Sequence, residues 1–104
     1  MTASGFLTVS PTVEGSMAPE IAKAVDALEE FDVRYETTAM GTMLEAGDAA
    51  TLFAAAQGAH EAVDSDRVVT FLKVDDKRAT DAPMEEKVES VEEHLGREAS
   101  GGPE

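Results

Sequence analysis

Apolar positions follow two rhythms along this chain: a two-residue alternation in short segments and a helical spacing in longer ones. Phe6-Leu7-Thr8-Val9-Ser10 is short and β-prone, and Pro11 stops it, which predicts a first strand. A polar loop carrying Gly15 follows. Ser16 stands where a helix N-cap belongs, with Pro19 and Glu20 in the first turn. Ile21, Val25, Leu28 and Phe31 then recur at helical spacing and predict a helix ending near Asp32. Val33 to Thr38 alternates, with Val33, Tyr35 and Thr37 on one face and Arg34, Glu36 and Thr38 on the other, as a second strand does. Ala39-Met40-Gly41 reads as a tight connection into a short third strand, Thr42 to Glu45. Asp48 is placed to cap a second helix whose stripe is Leu52, Ala56, Ala59 and Val63, and Asp64-Ser65-Asp66 breaks it. Arg67 to Val74 is β-branched and nearly continuous, the pattern of a strand covered on both faces. Beyond a polar loop, Asp75 to Ala82, the residues Met84, Val88, Val91 and Leu95 mark a third amphipathic helix.

The order β-α-β-β-α-β with a further helix predicts an α+β fold: a ferredoxin-like βαββαβ antiparallel sheet with an additional C-terminal helix. With 104 residues there is room for one domain, taken as residues 1–98, and 99–104 are expected to form a disordered tail. The third helix must bury its stripe on the open face of the sheet or against a neighbouring subunit. Together with the apolar last strand, this points to a homo-oligomer, a homodimer or homotetramer.

Charge changes the picture most. The chain carries 22 Asp and Glu against 8 Lys and Arg, a formal net charge of −14. A field of that sign repels phosphate backbones and anionic lipid headgroups, so neither nucleic acid nor a membrane is expected as a partner. The acidic residues either form a patch for a cationic partner or reflect adaptation to concentrated salt. Their spread over every segment favours the second reading, because salt screens self-repulsion within a few ångströms. With no basic leader at the N-terminus and no long apolar run, the chain is expected to be cytoplasmic.

Candidate chemistry is sparse. The absence of cysteine removes disulfides, thiolate zinc sites and cysteine nucleophiles. There is no Walker loop, no dinucleotide-binding glycine fingerprint and no Gly-x-Ser-x-Gly elbow. His60 and His94 fall in no metal-ligand spacing and read as surface or packing residues, and Asp75, Asp76 and Asp81 read as a solvated acidic loop. No catalytic residue, metal or cofactor is expected.

Several stretches resemble one family. Tyr35-Glu36-Thr37-Thr38-Ala39-Met40-Gly41-Thr42-Met43-Leu44-Glu45-Ala46-Gly47-Asp48, Ala59-His60-Glu61-Ala62-Val63, Arg67-Val68-Val69-Thr70, Val74-Asp75-Asp76-Lys77-Arg78 and Met84-Glu85-Glu86-Lys87-Val88-Glu89-Ser90-Val91 are similar, in order and spacing, to motifs of the UPF0045 (DUF77) thiamine-binding family. The likeness runs from about Phe6 to Leu95. Ala39 and Ala46 depart from the proline and glycine usual there, which alters loop stiffness beside the expected site. The resemblance implies a ferredoxin-like subunit that assembles into dimers or tetramers and binds thiamine or its hydroxymethylpyrimidine part without catalysis. The main alternative is a structural or regulatory oligomer that senses another small metabolite or works through protein contacts.

On that resemblance, the segment from Met40 to Glu45 is the expected ligand site. Glu45 would pair with the aminopyrimidine of the cationic vitamin, Thr38 or Thr42 would supply a hydroxyl, Gly41 would let backbone groups approach a flat ring, and Met40 would pack on the ring face. The plain alternative is an ordinary hairpin with Glu45 exposed at a strand end. Ser10 and Ser16 flank the first strand-to-helix loop, where polar ligand groups can be met, although Ser16 also serves as a cap. Thr70 either faces the pocket or fills a sheet position.

If the acidic surface reflects adaptation to salt, screening relieves the repulsion of −14 charges. The melting temperature should then climb steeply from low salt to molar KCl. A flat melting temperature across that range would remove the salt-adaptation reading.

Overall fold

The computed structural model describes residues 1–103; Glu104, the last residue of the expected tail, lies outside the described residues. The elements in chain order are β1 (Thr2–Pro11), α1 (Ala18–Ala27), a 3-10 turn (Leu28–Glu30), β2 (Val33–Thr37), β3 (Thr42–Ala46), α2 (Ala49–Ala62), β4 (Val68–Lys77) and α3 (Glu85–Leu95). The four strands form an antiparallel sheet in the order β2-β3-β1-β4, the ferredoxin-like arrangement.

β1 is four residues longer at its start than the hydrophobic pattern predicts. Thr2-Ala3-Ser4-Gly5 carries little β propensity, yet it pairs with Lys77 to Val74 of β4. The small side chains have a packing reason: a Cβ on Gly5 would lie 3.0 Å from a methyl of Leu52, so α2 rests directly on the strand there. β4 likewise runs on to Lys77, converting the start of the expected loop into strand.

Alternation along the strands sorts the two faces. Ala3, Leu7 and Val9 of β1, with Leu44 and Ala46 of β3, point to the helices and are buried with Ala24, Leu28, Leu52, Ala55, Ala56 and Ala59. Asp48 caps α2 as the sequence predicts, accepting from the Thr51 amide at 2.8 Å. Ser16 does not cap α1. The helix starts two residues later, with Met17 at the N-cap position and no side-chain cap, and the Ser16 hydroxyl instead accepts from the Ala18 amide at 3.1 Å within its own loop. Pro19, at the start of the helix, has no amide hydrogen to satisfy, which is why α1 tolerates the missing cap.

The opposite, open face holds a polar row that crosses the sheet in register: Arg34, Glu45, Ser4 and Asp75. The start of α3 is fastened to it. Arg34 bonds both Glu45 and Glu85 at 2.8 Å, Glu45 also accepts from the Met84 amide, and Lys87 pairs with Asp75. Beyond this clamp the helix is poorly covered. Val88 and Val91 are each just over half exposed, Leu95 is little less so, and on β4 Val69 and Phe71 are open as well. The last strand is therefore covered on one face only within a single chain, contrary to its sequence pattern. A radius of gyration of 15.3 Å, against about 13 Å for a compact chain of this length, reflects a flat body of 46 × 38 × 19 Å.

Burial pushes the Glu45 carboxyl up, but the Arg34 guanidinium and the Met84 amide more than offset this and hold it below its ordinary value of 4.5. A depressed folded value stabilises docking fully above about pH 4.5 and loses that stabilisation as the pH falls through it. Amide-exchange protection of α3 should accordingly fall below pH 4.5 while the β1 amides stay protected. Glu45→Gln should weaken α3 docking at neutral pH by about 1 kcal/mol. Unchanged α3 protection in that variant would show that the clamp does not hold the helix.

Candidate functional site

A cavity of about 300 Å³ opens between α1 and the β1 end of the sheet, closed along one side by the β2–β3 turn. Its existence follows from local side-chain sizes. Ala24 of α1 and Ala59 of α2 are the small residues facing β1, and they leave space above Leu7 and Val9. Ile21 and Val25 form the helical wall, with Leu28 behind them and Met17 at the mouth. The stripe of α1 that reads in sequence as ordinary core is thus partly a cavity wall.

The turn supplies the polar side. Thr38 donates its hydroxyl to the Gly41 carbonyl at 2.8 Å and accepts from the Met40 amide at 3.2 Å, while its own amide donates to the same carbonyl at 2.8 Å. The Thr42 hydroxyl is buried and shares a 3.2 Å hydrogen bond with Thr37. Gly41 presses so closely on β1 that a Cβ would lie 2.6 Å from the Phe6 ring and 2.9 Å from the Leu7 carbonyl oxygen, at a φ of +157°. Its smallness sets how near the turn sits to the strand. Met40 is 80% exposed and stands over the opening.

Next to the cavity, and sharing Met17, Ile21, Val25 and Thr37 with it, a shallow groove runs along the outer side of α1 past Ser16, Asp26 and Tyr35. The Tyr35 hydroxyl donates to Glu29 at 2.6 Å, and this bond to a carboxylate, with burial, raises its pKa and keeps it a neutral phenol. The cavity wall itself contains no titratable side chain.

The structure gathers Ser10, Thr38, Met40, Gly41 and Thr42 around one opening, as the sequence anticipates for those five. It separates the other three. Ser16 lines only the adjoining shallow groove. Thr70 points to the helix face but bonds the His60 ring and does not reach the cavity. Glu45 stands on the opposite face of the sheet, engaged with Arg34 and α3. The reason is the strand period: Glu45 lies three positions after Thr42, an odd offset, so the two side chains must project to opposite sides. The expectation of one contiguous Met40-to-Glu45 site is corrected accordingly. The apolar wall from α1 is what sequence reading missed. Its only signal was a stripe indistinguishable from core.

Comparison with known proteins agrees with this architecture. The family described as thiamine-binding protein matches residues 6–92. A UPF0045 protein of Methanothermobacter thermautotrophicus is 49% identical over 86% of this chain and 95% of its own length. The UPF0045 protein of Bacillus subtilis is 35% identical over 85% of this chain and 86% of its own. Among solved structures, one from Methanocaldococcus jannaschii superposes with a TM-score of 0.79 at 33% identity, covering 88% of this chain and 97% of that one. A DUF77 domain from Bacillus cereus gives 0.66 at 27% identity, covering 84% and 86%.

Gly41→Ala tests the packing that shapes the opening. The added methyl meets ring and backbone that cannot both give way, so the variant should lose about 1–3 kcal/mol in urea unfolding. A stability equal to that of the parent would show that the turn can move off β1 freely.

Proposed function

This chain belongs to the thiamine-binding protein family, and from that premise we propose that the cavity beside Thr38 to Thr42 binds thiamine or its hydroxymethylpyrimidine part by recognition alone. One observation carries the reading: a partly enclosed, largely apolar cavity whose lining includes Ser10, Thr38 and Thr42. An aminopyrimidine asks for that combination, apolar contact on its faces and hydrogen-bond partners at its edge. Met40 at the opening is placed to pack on the exposed ring face.

The cationic thiazolium then needs a home, and Glu45 on the far face does not offer one. Asp26, on the groove that continues from the cavity, is the carboxylate within the same surface. The net charge of −14 adds a general attraction for a cation. The hydroxymethylpyrimidine end therefore enters the cavity, and the thiazolium end lies along the groove toward Asp26.

Assembly forms the second part of the proposal. Val69 and Phe71 on β4 and Val88, Val91 and Leu95 on α3 are exposed together on or beside the open face. A second copy of the chain covering them, in a homodimer or a tetramer of two such pairs, accounts for the sequence pattern of β4. The same exposed set is what favours the alternative reading, a structural or regulatory oligomer without this ligand.

Calorimetric titration in molar KCl separates these readings. Thiamine should bind at micromolar or tighter, about −8 kcal/mol. Asp26→Asn should weaken thiamine while leaving the uncharged hydroxymethylpyrimidine unaffected, and Thr42→Val should weaken both about tenfold. No heat with either ligand, from a protein that still assembles, would leave the oligomer reading standing alone.

A further inference from the structure

A second cavity, of about 410 Å³, lies on the other side of the sheet beneath the first turns of α3. Its apolar lining comes from Phe6, Met43, Met84 and Val88, and its polar lining from Ser4, Asp75, Lys73 and Lys87. Three features set it apart from the surrounding surface. First, cations concentrate there on a chain that has few. Of the four lysines of the sequence, Lys73 and Lys87 line the cavity, and with Lys77 nearby on β4 they hold the carboxyl of Asp75, itself in the lining, below the usual range, chiefly through the Lys87 bond. Lys87 is committed to Asp75, whereas Lys73 makes no ion pair among the described residues. Second, Ser4 is only 8% exposed and its hydroxyl has no hydrogen-bond partner among the described residues, a cost that a buried polar group does not normally bear without a counterpart. Third, the remaining wall is apolar and includes the Phe6 ring and two flexible methionines, surfaces that accept a flat or aliphatic body.

We propose that this cavity is a second ligand site, for a small organic anion that carries a carboxylate or phosphate on an apolar body. The anionic head takes the Lys73 ammonium and the Ser4 hydroxyl, and the body lies against Phe6, Met43 and Met84. The site goes beyond the thiamine reading, since it is on the opposite face of the sheet and shares no lining residue with the first cavity. It also explains why a chain of net charge −14 keeps a cluster of lysines above one short row of the sheet. The two sites still touch through one side chain: the Phe6 ring that lines this cavity is the group against which Gly41 packs at the edge of the other.

The test uses phenyl phosphate as probe, with inorganic phosphate and benzyl alcohol as controls. Binding is followed by amide and methyl chemical shifts at the lowest salt that keeps the chain folded. Saturable binding of phenyl phosphate is expected, stronger than that of either control, with shifts centred on Ser4, Phe6, Met43, Lys73 and Met84. Lys73→Met should weaken it about tenfold, the loss of one charge-assisted contact. Ser4→Ala should weaken binding while leaving stability unchanged or raised, because the hydroxyl it removes has no partner among the described residues. Thr42→Val, which acts on the thiamine cavity, should leave phenyl phosphate binding untouched, so the two readings fail independently. Absence of saturable binding in the millimolar range, equal affinity in Lys73→Met, or shifts that centre on Thr38 to Thr42 would each overturn the proposal.

Discussion

The alternation of side chains along β1 is the constraint from which the rest of the molecule takes its place. This strand pairs over its whole length with β4 and over five residues with β3, and α1 and α2 pack against it. Its helix-facing residues decide how closely α2 can approach, and Gly5 lets Leu52 descend onto the backbone. Its middle decides where the β2–β3 turn can sit, because Gly41 abuts Phe6, Thr8 and the Leu7 carbonyl. A strand that keeps small residues where others must touch it is a hub by geometry as well as by topology.

From that alternation follows the division of labour between the two faces. The helix face holds a close-packed aliphatic core and, at one end, a cavity that the small residues of α1 and α2 leave open. Polar residues that on an ordinary solvated sheet face would simply meet water are here set in register as Arg34, Glu45, Ser4 and Asp75, and all but Ser4 bond the start of α3. These bonds are individually modest because several partners are well exposed. They act together on one helical turn, which leaves the rest of α3 and its apolar stripe free to meet another surface. Polar contacts therefore orient the helix, while its apolar stripe stays largely exposed within a single chain.

Electrostatics adds a global and a local term of opposite sign. The overall field is strongly negative and favours cations near the surface. Around Asp75, Lys87, Lys77 and Lys73 gather close enough to hold its carboxyl below the usual range, chiefly through the Lys87 bond. The linings of the two cavities accordingly differ: one without charged side chains, adjoining a groove that carries Asp26, and one bearing Lys73 and Lys87 beside Asp75.

What the sequence determined by itself is what short-range periodicity and capping encode. The element order, the facing of Val33, Tyr35 and Thr37, the Asp48 cap and the ferredoxin-like class were all legible because each is written within a few neighbouring residues. The turn with Thr38, Met40, Gly41 and Thr42 was legible through the resemblance, and Ser10 through its place where the first strand leads into the loop before the helix. Three things were decided only by tertiary structure. The first half of β1 forms because two neighbours pair with it, not because Thr2 to Gly5 favour a strand. The stripe of α1 becomes a cavity wall only because Ala24 and Ala59 fail to fill the space opposite it, a relation between residues far apart in the chain. Glu45 leaves the site for the far face because strand alternation outweighs closeness in sequence, and only the folded sheet shows that its partners wait there, on Arg34 and at the start of α3.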